Sequence, residues 1–338
     1  MNVIAAILSW SPRVSAAVVI LGVASAHAQT TPAAAAAAPV PAAAPTDTAS
    51  KAAIPTIFVC GDSTAKNNGA GAQGWGTAIA AYFDKEKVKI SNVAHAGTSS
   101  HTYYNGDWPK VLPQIKAGDY VLEVFGINDG TTPNGTGDET KDVPGKGGQM
   151  ESGVHTYGWY MSKMATDALA KGAHVYLLTL TVRNVWTNPL VKFKDATPTG
   201  PLPANYDPKQ DKIVRNDMHA NWTLEVGKKL NVPVLDLHTL EGDRYEQLGR
   251  EKVMVNYLDH NHTNPTGAEL IAGYIVAGLK AFPNSPFIPM LSAMGQAWPT
   301  ADAKYVFPNT ASDTAGAKAG SAPAAASANA AAAATKNS

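Results

Sequence analysis

The chain has 338 residues, with 27 Lys+Arg balancing 27 Asp+Glu, a formal net charge of zero and a charged fraction of only 16%. That balance excludes the basic footprint of a nucleic-acid binder. A single cysteine, Cys60, excludes an intrachain disulfide framework and any cysteine-built zinc finger or iron–sulfur cluster.

At the N-terminus, Arg13 precedes a short apolar run, Val14–Ala24, which leads into Ala26-His27-Ala28, a small-x-small cleavage pattern. Residues 1–28 are therefore read as a signal peptide, and the mature protein is expected to be secreted or periplasmic, with no membrane attachment after cleavage. The run is too short to span a bilayer. Residues 29–53 form an Ala/Pro-rich linker, and residues 309–338 an Ala-rich tail with few branched side chains to bury, expected to be disordered. One folded domain, residues 54–308, lies between them.

Within it, Ile57–Cys60, Tyr120–Phe125, Val175–Thr181 and Val232–Leu237 are short runs rich in Val, Ile, Leu and Phe, and a weaker one covers Val88–Val93. Such runs predict buried parallel strands. Trp75 opens a short helix between two glycines, where packing is its expected role. The long segment Thr131–Thr156, rich in Gly, Asp and Lys, reads as a cleft wall or a mobile surface. Met161, Met164, Ala165, Ala168 and Leu169 have helical spacing and stop at Gly172. A further helix is predicted over Ile213–Leu230, with Met218, Trp222 and Val226 on one face. Ala268, Ile271, Ala272, Ile275, Val276 and Leu279 form another, entered through the capping pair Asn264-Pro265. Strands alternating with helices predict an open α/β sheet with helices on both faces, and ligands bind such sheets at the carboxyl ends of the strands.

Residues just after the strands are thus expected to converge. They are Gly61-Asp62-Ser63-Thr64, Asn92–Gly97 and Gly126-Ile127-Asn128-Asp129-Gly130, joined by Asp259-His260-Asn261-His262 before the last helix. Ser63, expected to open a helix, places a hydroxyl at the strand edge, and a hydroxyl needs a base before it can attack. His260 and His262 are the candidate bases. Asp259, three residues before His262, can fold back onto Nδ1–H and leave Nε2 facing the serine. Asn128 can supply a side-chain N–H to an oxyanion, and Gly97 lets the backbone approach a ligand. Asp62 reads as a buried acceptor bracing the loop, and Cys60 as an inert packed thiol.

Gly61-Asp62-Ser63, Gly97, Gly126-x-Asn128-Asp129 and Asp259-x-x-His262 together resemble the four blocks of the SGNH (GDSL-type) hydrolase superfamily. Gly61–Asn67, Gly74-Trp75-Gly76, Ala117–Val121 and Asp259–Ala268 resemble rhamnogalacturonan acetylesterases within it, and the likeness runs from Ile54 to Phe282. It implies a flavodoxin-like three-layer α/β/α fold with a parallel five-stranded sheet, and cofactor-free, metal-independent removal of O-acetyl groups from acetylated plant cell-wall polysaccharide of the pectic type. By the same resemblance Ser63 is the nucleophile, His262 the base and Asp259 its orienting partner. The oxyanion hole is then the N–H groups of Ser63 and Gly97 with Asn128. Two positions depart from the family pattern: Ile127, where histidine is usual, and His101, where arginine commonly follows the second-block glycine.

Other readings stay open at this level. Asp259, His260 and His262 could ligate a metal, with Asp62 and Asp129 as further donors. His101, Trp108 and Trp186 are candidate substrate contacts, and both tryptophans could equally be core. The same chemistry could serve another acetylated polymer such as xylan, or a lipase or thioesterase, although the polar loops disfavour the latter pair. A carbohydrate-binding relative without catalysis is the alternative from another class.

Overall fold

In a computed structural model the described residues are 54–66, 69–187, 193–194, 197–198, 207 and 209–309. The expected signal peptide and linker, and the tail from residue 310, lie outside them.

The apolar runs form β1 (Thr56–Cys60), β2 (Lys89–Asn92), β3 (Tyr120–Val124), β6 (His174–Leu178) and β9 (Val234–Leu235). Between β3 and β6 stand β4 (Thr140–Pro144) and β5 (Met150–His155); a small pair, β7 (Phe193–Lys194) and β8 (Thr197–Pro198), precedes β9, and β10 (Val306–Phe307) ends the domain. One six-stranded sheet has the order β10-β9-β6-β3-β1-β2. All its pairings are parallel except that of β10 with β9. The five parallel strands therefore follow the flavodoxin-like order, and chain direction across the sheet reverses between β1 and β3. The expectation of five strands misses β10, a two-residue antiparallel edge too short to carry a periodic signal.

The helices are α1 (Trp75–Ala78), α2 (Ser100–Gly106), α3 (Trp108–Val111), α4 (Tyr157–Ala170), α5 (Asp217–Leu230), α6 (Leu237–Leu248), α7 (Arg250–Met254), α8 (Pro265–Ala281) and α9 (Ala293–Ala297). Phe58 and Cys60 of β1, Val121 of β3 and Val175 and Leu177 of β6 join Tyr103, Trp108, Met161, Met164 and Val226 in one continuous core, which covers one sheet face with α2 to α5. On α8 a Cβ at Gly278 would stand 2.3 Å from the Leu235 side chain, so this helix packs directly against β9. Its N-cap Asn264 accepts from Gly267 N–H at 3.0 Å, with Pro265 in the first turn as expected.

Three local expectations need correction. α5 starts at Asp217 rather than Ile213, because Ile213 bridges Trp186 and Val214 N–H donates to Val185 C=O at 2.7 Å, holding that stretch extended. Thr131–Thr156 is not all loop: it carries the antiparallel β4–β5 hairpin. Ser63 opens a single turn, in which Asp62 C=O accepts from Ala65 and Lys66 N–H, and α1 begins only at Trp75.

Glu123 is an anomaly at the centre of the sheet. It is fully buried on β3, opposite Cys60 on one side and Leu177 on the other, and neither carboxyl oxygen has a hydrogen-bond partner among the described residues. Burial, reinforced by the charge of Asp167, holds its carboxyl well above the usual range. A proton kept in the folded chain and released in the unfolded one makes stability fall as pH rises above that usual range. Glu123→Leu is expected to remove this loss. The stability advantage of the variant over wild type, from urea unfolding, should widen between pH 5 and 8 by up to about 1.4 kcal/mol per pH unit. A constant difference would contradict a neutral, unpartnered Glu123.

Candidate active site

The chain leaves β1 through Gly61, where a Cβ would meet Val124 at 2.9 Å, so only glycine lets the turn pass the end of β3. Asp62 is buried, and its Oδ1 accepts from Thr64 N–H and Thr64 Oγ1–H, each at 2.8 Å. Burial pushes this carboxyl up to about 6 despite those bonds. It braces the turn, as expected. The turn is held from behind by Trp75 and Gly76, whose N–H groups donate to the carbonyls of Thr64 and Ala65 at 3.1 and 3.0 Å. A Cβ at Gly74 would lie 2.3 Å from the Ala65 carbonyl group, which explains the Gly74-Trp75-Gly76 sequence sterically. Trp75 is fully buried packing.

The second loop closes on itself through a Tyr257–Thr263 bridge, with Leu258 N–H donating to His262 C=O at 2.8 Å. Inside it, Asp259 Oδ1 accepts from Asn261 and His262 N–H at 2.6 and 2.7 Å, and Oδ2 accepts from His262 Nδ1 at 2.6 Å. Partial burial opposes ionisation of Asp259, but the imidazole and the two backbone donors outweigh it and hold the carboxyl below its ordinary value. An ionised carboxylate only accepts, so Nδ1 carries a hydrogen, and in the imidazole tautomer this selects, Nε2 is the acceptor. Ser63 Oγ donates to that Nε2 at 2.9 Å, across 199 residues of sequence.

The remaining predicted residues flank this pair. Gly97 sits in a left-handed turn (φ 79°) after β2, and His95 N–H ties the turn to Gly61 C=O at 2.9 Å. Asn128 Nδ2 donates to Thr98 C=O at 3.0 Å. Its neighbour Asp129 accepts through Oδ1 from Ser100 N–H at 3.0 Å, Ser100 Oγ–H at 2.5 Å and Thr132 Oγ1–H at 3.0 Å. The end of β3 thereby fixes the Gly97 loop. Among the described residues, no acceptor is hydrogen-bonded to the backbone N–H of Ser63 or Gly97. The second hydrogen of the Asn128 amide adds one more available donor. A hydroxyl beside an imidazole, an ionised carboxylate behind that imidazole and unused N–H groups on adjacent loops are the parts that acyl transfer requires.

Other candidates fare differently. Trp108 is 2% exposed in the core with Nε1–H donating to Asp167 at 3.2 Å, and Trp186 is 6% exposed with Nε1–H donating to Asn184 Oδ1 at 2.9 Å. Neither presents a ring to a ligand, which corrects both as substrate contacts. His101 is also largely buried, with Nε2 3.4 Å from Glu151 and its ring 5.1 Å from that of Tyr160. It nevertheless lines a pocket between α2 and the β4–β5 hairpin, together with Tyr104, Glu151, His155 and Trp159. Burial pulls the His101 imidazole below its usual pKa. The aromatic pocket escapes sequence reading because it needs the hairpin; its only signal is the Tyr157-Gly158-Trp159-Tyr160 cluster. Among the described residues no group of three or more His, Cys, Asp or Glu is placed to hold a metal, and His260 instead shapes the loop by accepting from Asn184 N–H through its carbonyl at 2.9 Å. Cys60 is fully buried, and burial pushes its thiol up.

Sequence reasoning also misses the clamp between the two loops. Gln73 N–H donates to Thr263 C=O at 3.0 Å, and Thr263 Oγ1–H returns a bond to Gln73 C=O at 2.8 Å. Behind the second loop lies buried Glu241, whose carboxyl accepts from Val182 N–H at 3.1 Å and Tyr257 Oη–H at 3.3 Å and is pushed by burial up to about 8.

Residues 59–270 match the model of the GDSL-like lipase/acylhydrolase family. The chain is similar to the rhamnogalacturonan acetylesterase of Emericella nidulans, at 29% identity over 64% of this chain and 81% of that one. It is also similar to the rhamnogalacturonan acetylesterase RhgT of Bacillus subtilis, at 26% identity over 63% and 79% of the two chains. The crystal structure of Bacillus subtilis YxiM shares the fold, with a TM-score of 0.52 and 24% identity over 68% of this chain and 56% of that one. With the family model spanning β1 to α8, the chain belongs to the GDSL-like lipase/acylhydrolase family, the SGNH hydrolases, and is an esterase.

Proposed function

We propose that the protein is an exported serine acetylesterase that removes O-acetyl groups from pectic, rhamnogalacturonan-type polysaccharide. The observation that carries this reading is the hydrogen-bonded line from Asp259 through His262 to Ser63, at 2.6 and 2.9 Å. In it, Ser63 Oγ attacks the acetyl carbonyl carbon while His262 Nε2 takes the hydroxyl proton. Asp259, held ionised, stabilises the imidazolium that forms. The N–H groups of Ser63 and Gly97 and the Asn128 amide receive the negative oxygen of the tetrahedral intermediate. Collapse expels the sugar hydroxyl oxygen, which takes the proton from His262 and leaves an acetyl ester on Ser63. Water, deprotonated by the same imidazole, attacks the acetyl carbon; the bond to Ser63 Oγ breaks, Oγ takes back the proton from His262, and acetate leaves.

The polysaccharide part of the reading draws on two supports. The relatives from Emericella nidulans and Bacillus subtilis carry the name rhamnogalacturonan acetylesterase. The pocket beside α2 combines aromatic faces with polar groups, His155 and Trp159 stacking 3.8 Å apart, a surface suited to sugar rings and poorly suited to an acyl chain. Export rests on the N-terminal pattern alone.

Acetate release from a panel of acetylated polysaccharides is expected to be fastest with rhamnogalacturonan, and Ser63→Ala is expected to abolish it while the protein stays folded. Residual turnover above a few per cent of wild type, in protein free of wild-type contamination, would remove Ser63 from the role of nucleophile. A panel led by another polymer would overturn the substrate.

Because Asp259 is held below its ordinary value, it stays ionised across the working range. Asp259→Asn should reduce kcat by orders of magnitude, up to about 10⁴-fold, with little change in KM. A fully active Asn variant would contradict this role.

A further inference from the structure

Beyond the strand ends already described, the segment following β6 also reaches the active-site edge, and its backbone is tied down on both sides of one exposed cation. Val182 N–H donates to buried Glu241 at 3.1 Å, Val185 N–H to Arg183 C=O at 2.7 Å, and Asn184 N–H to the carbonyl of His260 in the loop that carries His262, at 2.9 Å. Between these anchors, Arg183 Nη2–H donates to Ile127 C=O at 2.9 Å, the residue immediately before Asn128. Arg183 is thus strung between the strand end bearing Asn128 and the loop bearing His262, and its residue is exposed.

Most of its bonding capacity is left over. A guanidinium carries five N–H donors and stays charged. One donor is spent on Ile127, and among the described residues no carboxylate lies within ion-pair distance of it. The whole chain has a formal net charge of zero, so overall charge does not attract an anionic polymer to it. A local, fixed cation is the feature that can recognise an anionic ring here. A planar fork with one arm already fastened to backbone suits a carboxylate, which it can meet with two parallel bonds.

We propose that Arg183 is a specificity-determining residue that binds the carboxylate of a uronic-acid ring in the substrate, and so favours acetylated uronate polymers over acetylated neutral ones. This rests on the acetylesterase reading for its meaning in catalysis, but the binding step stands by itself. Lysine could keep the charge there and lose the paired geometry.

The test uses Ser63→Ala protein, so that binding is read without turnover, titrated calorimetrically with an oligogalacturonate and with a neutral xylo-oligosaccharide of equal length. Adding Arg183→Gln is expected to weaken oligogalacturonate binding about tenfold or more, with less than a twofold change for the neutral sugar. Arg183→Lys should fall between, and added salt should narrow the gap between Arg and Gln proteins. In the enzyme with Ser63 restored, the ratio of kcat/KM on acetylated uronate polymer to that on acetylated xylan should fall by a similar factor, through KM. Unchanged oligogalacturonate affinity in Arg183→Gln, or equal losses for acidic and neutral sugars in both the Gln and Lys variants, would overturn the proposal. If wild type released no acetate from any ester while Arg183 still governed oligogalacturonate affinity, the acetylesterase reading would fail and the carboxylate site would stand.

Discussion

Everything at this site depends on holding two loops, nearly two hundred residues apart in sequence, within one hydrogen bond of each other. The His262–Ser63 contact at 2.9 Å is too weak to do that alone, since a single bond of this kind contributes about 1 kcal/mol. The reciprocal Gln73–Thr263 pair supplies the constraint, and it works because Gly74 and Gly76 allow the following segment to lie against Ala65 with no side chain between. Nucleophile and base are then parts of one packed unit. Orientation fixed by packing lowers the entropy cost of the reaction, and in oriented systems this advantage is large.

The aspartates around the site illustrate how environment divides one residue type into different tasks. Asp62 and Asp129 are buried, and burial raises both carboxyls even though neighbouring hydroxyl and N–H groups bond to them. They brace the Ser63 turn and the Gly97 loop. Asp259 is partly exposed and receives the imidazole and two backbone donors, which keep it ionised. Only this one is suited to stabilise a transient imidazolium, and its position behind His262 agrees.

Much of this could be read from the sequence, for a physical reason. Buried parallel strands must be short continuous apolar runs, so Ile57–Cys60 and Tyr120–Phe125 announce themselves, and the residues after them must share one edge. Asn264-Pro265 marks a helix start because its chemistry is local. What escaped was either too short or not local. β10 has two residues; the start of α5 was decided by backbone pairing between Ile213 and Trp186; and the β4–β5 hairpin lies in a polar stretch without alternation. Sequence leaves Trp108 and Trp186 open between cleft and core because a tryptophan's burial depends on what packs over it, and here Asp167 and Asn184 satisfy their indole N–H groups inside. Arg183 gave no signal, since its place beside Ile127 exists only once two strand ends and a loop have met.

In this site the ends of β1, β2 and β3 converge with the His262 loop on one reacting carbonyl. Asn128 tests this most directly, because it is remote from Ser63 in sequence and its amide already fixes the Thr98 loop while keeping a second hydrogen free. The measurement is kcat of Asn128→Ala on a small aryl acetate, with folding verified by circular dichroism. Convergence predicts a loss on the order of 10²–10³-fold, with KM changed far less. Turnover equal to wild type would contradict it, and would reduce Asn128 to a residue that shapes its own turn.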